Sequence, residues 1–80
     1  MEEVFVKKYW VEDDTLFYLH FQNGEAMRQV EITPSGKVFL SLDNPSENGS
    51  MLYDQSLEEL DLEEKDFITQ EEFDKIWNDK

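Results

Sequence analysis

The sequence predicts a single α+β domain: a four-stranded antiparallel β-meander with one C-terminal α-helix packed on one face. Three observations carry this expectation. Four runs rich in β-branched and aromatic residues fill the first half of the chain, each bounded by turn-forming residues. Between two of them stands Asn23-Gly24, the dipeptide best suited to the positive φ angles of a two-residue hairpin turn. Near the C-terminus, Ile68 to Trp77 carries helical periodicity together with its own start signal.

The first strand is predicted over about residues 3–11, ending at Glu12-Asp13-Asp14. The second spans 15–22 and joins the third, 26–33, through Asn23-Gly24. In the third, alternation places Ala26, Val30 and Ile32 on one side and Met27, Gln29, Glu31 and Thr33 on the other. Pro34-Ser35-Gly36 turns the chain into strand 37–42. Residues 43–50, with Asn44-Pro45 and Asn48-Gly49, form a polar, mobile loop in this reading. Ser56 to Leu60 repeats a capping pattern and predicts one helical turn, with Leu57, Leu60 and Leu62 inward.

The terminal helix is predicted over 69–78. Thr69 and Glu72 are spaced for a reciprocal capping box, and Ile68 and Phe73 for the accompanying hydrophobic staple. Phe73, Ile76 and Trp77 share one side. So short a helix needs a surface to bury that stripe. The expected floor is Phe17, Leu19, Phe21, Val30, Ile32, Val38 and Leu40. Val4, Val6 and Trp10 join it in one register of strand one, Phe5, Tyr9 and Val11 in the other. With the first set inside, the outer face shows Phe5, Tyr9, Tyr18, His20, Met27 and Phe39, either covered by residues 51–62 or used for binding.

Eighty residues with 39% hydrophobic and 14% aromatic content support one core built from a few large side chains. The absence of Cys excludes disulfides and thiolate metal sites and makes a reducing compartment the natural expectation. Met1-Glu2-Glu3-Val4-Phe5 has no basic stretch followed by an apolar run, and a cytoplasmic protein without membrane association is expected. The formal charge of −13 is uneven: residues 1–40 carry net −3 and residues 41–80 net −10. Such a field repels nucleic acid, for which Lys7, Lys8, Arg28 and Lys37 are too few, and steers association with basic surfaces.

Little here is arranged for catalysis. His20 is the only histidine, and its predicted place in a strand among aromatics is that of a packed side chain. Glu12-Asp13-Asp14, Glu58-Glu59 and Glu63-Glu64 fall in turns and solvated stretches, not in a converging pair. The loop from Asn44 lacks the Asp at position one and the Glu at position twelve, here Gln55, that a calcium loop requires. No catalytic residue, cofactor or metal ligand is assigned. The candidate for function is the acidic segment Tyr53, Asp54, Glu58, Glu59, Asp61, Glu63, Glu64 and Asp66, whose carboxylates could meet a basic protein partner around aromatic anchors. Acids in the first turns of helices also serve capping and the macrodipole, which accounts for part of the set.

The order Trp10, Tyr18, Arg28-x-Val30-Glu31-Ile32, Gly36-Lys37 and Phe67-x-Thr69-x-Glu71-Glu72-Phe73-x-x-Ile76-Trp77 resembles a family of small, acidic, uncharacterised bacterial domains. These end in a Thr/Ser-x-Glu-Glu-Phe-x-x-Ile/Val-Trp helix after a strand meander. The motifs are structural, and no site residue carries over. Members of such families are sometimes found beside toxin genes, so the resemblance implies an immunity-like or antitoxin-like inhibitor. The expected function is therefore non-catalytic binding of a basic protein. Two alternatives stand beside it: a small-molecule-binding or weakly enzymatic domain using the aromatic sheet face around Tyr9, Tyr18 and His20, and a housekeeping domain whose charge serves solubility only.

Overall fold

The computed structural model describes residues 2–47 and 49–79. Its strands are β1 (Glu3–Trp10), β2 (Thr15–Gln22), β3 (Glu25–Thr33), β4 (Gly36–Ser41), β5 (Ser46–Glu47), β6 (Ser50–Met51) and β7 (Phe67–Ile68), and its helix is α1 (Gln70–Trp77). One-turn 3₁₀ helices cover Leu57–Glu59 and Glu64–Asp66. The main sheet is antiparallel with order β4-β3-β2-β1-β7. It therefore has five strands where four were expected, because Phe67 and Ile68 pair with Val6 and Phe5 before the helix begins. The hairpin signal holds, with Asn23 and Gly24 at φ 53° and 87°. The stretch read as a mobile loop contains a two-residue ribbon pairing Ser46 with Met51 and Glu47 with Ser50. Asn48, half of the turn signal read there, lies outside the described residues.

The sheet is covered on both faces, and the covers are exchanged relative to the expected floor. Phe73, Ile76 and Trp77 of α1 pack with Phe5, Tyr18, Val30, Ile32, Phe39 and Ile68. Of the expected floor, only Val30 and Ile32 lie beneath the helix, together with Phe5 from the second register of strand one. Val4, Val6, Leu19 and Phe21 form a second core with Ala26, and Leu52, Tyr53, Leu57, Leu60 and Leu62 lie across it. A β-bulge explains part of the exchange: Phe21 opposes Ala26 while His20 opposes Arg28, so Met27 is the extra residue. Side-chain alternation reverses there. Ala26 thus faces the leucine-rich segment, while Val30 and Ile32 face the helix. The rest follows from β1 and β2, which are apolar on both sides and leave alternation without a preference.

The helix start is half of the predicted box. Thr69 Oγ1 accepts the Glu72 N–H at 3.1 Å, but the Glu72 carboxylate takes the Lys7 ammonium at 3.3 Å in place of a return bond. That choice ties α1 to β1. Arg28 donates to Asp74 at 3.3 Å, and Lys37 pairs with Asp79 just past the helix. Three of the four cations of the sheet are thus spent on docking the helix.

Candidate functional site

Leucines inward and acids outward give the crossing segment 52–66 its form. Leu57, Leu60 and Leu62 pack on the sheet, leaving Asp54, Glu58, Glu59, Asp61, Glu63 and Glu64 exposed. Glu63 pairs with Lys65 at 3.4 Å in open solvent, where such a pair contributes little. Among the described residues, no ion pair reaches Asp54, Glu58, Glu59, Asp61 or Glu64. Together they form an anionic strip along one side of the domain.

Two of the eight candidate residues take other roles. Asp66 is buried, and one of its carboxylate oxygens accepts the Glu63 N–H at 2.9 Å and the Lys8 ammonium at 3.5 Å. The Glu63 N–H chiefly, with Lys8, holds its carboxyl below the usual aspartate value against the effect of desolvation. Asp66 therefore closes a turn. Tyr53 is half-buried, edge-on to Phe21 with centroids 6.0 Å apart, and its N–H donates to Gln29 Oε1 at 2.8 Å. Desolvation raises its hydroxyl pKa, and the charges of Glu59 and Asp54 raise it further.

The opposite face offers no open site at His20. Its ring stacks on Phe5 with centroids 4.4 Å apart and planes 7° apart, beneath Phe73. Arg28 Nε–H donates to Nδ1 at 3.0 Å, so the remaining ring N–H, on Nε2, donates to Glu3 at 2.9 Å. Burial, with Arg28 adding to it against the opposing pull of Glu3, lowers the pKa of this histidine. The helix, and not residues 51–62, covers the aromatic face on which the alternative reading placed a ligand site, with Tyr18 half-buried within it and Tyr9 exposed at its edge, hydrogen-bonded to Asp14.

Sequence reasoning missed a cleft on the leucine-covered side. It measures about 360 Å³, with walls from Trp10, Phe17, Leu19, Met51, Tyr53 and Leu60, and Gln29 and Glu31 of β3 also line it. Both β3 residues are buried, at 2% and 8% exposure. The Gln29 amide is fully used: its NH₂ donates to Glu31 at 2.7 Å and to the Met51 carbonyl at 3.3 Å, while its oxygen takes Tyr53 N–H. It therefore pins the crossing segment and orients the carboxylate. Polar residues at alternate positions of a strand read as solvent-facing, and only a cover on both faces reveals them as buried.

Among the described residues, no group of three or more His, Asp or Glu side chains could hold a metal ion, and no helix is long and apolar enough to cross a membrane. No protein-family model, curated protein or solved structure matches this chain.

Proposed function

We propose that this chain is a non-catalytic interaction protein that binds a basic partner protein through the anionic strip of Asp54, Glu58, Glu59, Asp61, Glu63 and Glu64. The carrying observation is that three of the sheet's four cations are engaged elsewhere and that the fourth, Lys8, gives its ammonium to the Asp61 carbonyl and to Asp66 and not to an exposed carboxylate of the strip. Lys7, Arg28 and Lys37 pair with acids of the helix and its C-terminal end, and Lys8 holds Asp66. Apart from Glu63, paired with Lys65 in open solvent, the carboxylates of this strip have no ion pair among the described residues, and such a field attracts basic surfaces and accelerates their encounter. The resemblance to small acidic bacterial domains ending in the same helix motif supports an immunity-like or antitoxin-like inhibitor as the biological form of this binding. The stacking of His20 on Phe5 beneath Phe73 weighs against a ligand site at that residue.

Capture from the native cytosol on immobilised protein, at low and at high salt, tests the reading. Retention of a basic protein at low salt, released at high salt and absent with Glu58→Lys/Glu59→Lys, is expected. Capture that is indifferent to both salt and charge reversal would refute it.

A further inference from the structure

We infer that the cleft floored by Glu31 is an anchor pocket for one arginine side chain of a basic protein partner. The inference rests on the anionic-strip reading for the character of the partner and adds the place where its binding energy concentrates. Glu31 is buried, yet among the described residues it has no ion pair and its donors are neutral: Gln29 Nε2 at 2.7 Å and Ser50 Oγ at 2.9 Å, one to each oxygen. A carboxylate offers about four acceptor sites, so roughly two remain. A buried carboxylate facing only neutral donors is unfavourable until a cation joins it. Because the Gln29 amide is bound at both ends, that carboxylate is oriented in advance.

The walls select the cation. Trp10 and Phe17 meet edge to face at 5.9 Å, and Trp10 remains 43% exposed beside the cleft. An aromatic wall beside a carboxylate matches a guanidinium, which stacks on one and donates two parallel N–H bonds to the other; an ammonium does neither as well. Lys8 also lines the cleft, but its ammonium is held by the Asp61 carbonyl at 2.7 Å and by Asp66. Exposed Asp13 adds a second carboxylate to the lining. Leu60 and Tyr53 line the cleft within the same segment that carries the strip, so an arginine seated there leaves flanking lysines over Glu58, Glu59 and Asp61.

The test uses the full chain followed by two-dimensional amide NMR. Three probes are titrated: capped arginine, capped citrulline as its neutral isostere, and a capped pentapeptide with one arginine between two pairs of lysines. Arginine is expected to shift the Trp10 indole N–H, the Gln29 side-chain amide and the Ser50 and Met51 amides, with citrulline about tenfold weaker or worse. Glu31→Gln keeps an acceptor for Gln29 and a donor for Ser50, so it folds, and it weakens arginine by about tenfold. Trp10→Leu weakens it without touching the carboxylate. If the strip reading alone is wrong, the lysines add nothing while capped arginine still shifts the cleft. If the pocket is wrong, the pentapeptide shifts only residues 54–64 in a salt-dependent way, and Glu31→Gln changes nothing. Equal shifts from citrulline and arginine also overturn the inference.

Discussion

Arg28 donates its Nε–H to His20 Nδ1 at 3.0 Å and thereby fixes which nitrogen of the only histidine carries the proton. The same guanidinium reaches Asp74 at 3.3 Å and lies 4.8 Å from the Phe73 centroid and 5.2 Å from that of Trp77. A chain of hydrogen bonds thus runs from the helix through Arg28 and His20 to Glu3 at the start of β1. The middle link needs a neutral imidazole, because a protonated ring has no acceptor for Arg28.

Acidification should therefore loosen this side of the domain before carboxylates titrate. The folded-state pKa of His20 is lowered, so the unfolded chain binds the extra proton first. The contribution is complete above the unfolded value of about 6.5 and is lost as pH falls through and below it. Denaturant melts across this window should show stability falling with pH, and His20→Gln should flatten that slope. A lower transition below about pH 4 should survive in His20→Gln, because Asp66 is held below its usual value and its share is lost as pH falls through the carboxylate range. A His20 imidazole that titrates by NMR at or above 6.5 would contradict the first part.

Phe73 is the fully buried anchor of the helix, and Phe73→Ala should cost about 3–5 kcal/mol. Trp77, packed edge-on to Phe39 at 5.8 Å but only half-buried, should cost less on truncation to Ala. Urea unfolding measures both. A loss under about 1 kcal/mol for Phe73→Ala would mean that α1 does not dock as described.

The elements of this fold were largely legible, and their assignment to faces was not. Asn23-Gly24, Pro34-Ser35 and Thr69 announce turns and a cap through local chemistry, and all stand where that chemistry places them. Which side of the sheet each cover takes depends on Met27, whose bulge reverses β3, and on strands apolar on both faces. Neither leaves a local mark. The exposure of Asp54, Glu58, Glu59, Asp61, Glu63 and Glu64 was legible because surface acids need no partner to be recognised. Asp66 was not distinguishable from them, since its role depends on Lys8, 58 residues away in sequence. Glu31 and Gln29 escaped for the same reason: only the crossing segment makes them interior.

Gln29 joins three parts of the molecule, and its removal should be felt in all of them. Gln29→Ala strips a partner from Tyr53 N–H, the Met51 carbonyl and the Glu31 carboxylate. Leaving a buried polar group unsatisfied costs about 1–3 kcal/mol, so a loss of at least that size is expected. Amide hydrogen exchange should accelerate at Tyr53 while the β1–β2 ladder stays protected. Uniform acceleration across the sheet would show that Gln29 acts on global stability and does not pin the segment.

The anionic strip should govern how fast a basic partner arrives more than how long it stays. Exposed charges act through long-range attraction that salt screens over about 10 Å at 0.1 M, whereas anchors seated in a dry pocket act on dissociation. With a captured basic partner, Glu58→Gln/Glu59→Gln should lower the association rate severalfold at low salt and leave dissociation within about twofold. Raising the salt should bring wild type and variant together in association rate. Stopped-flow or surface-based kinetics reads both constants. A variant that dissociates faster with an unchanged association rate would place Glu58 and Glu59 in a desolvated contact, contrary to a steering strip.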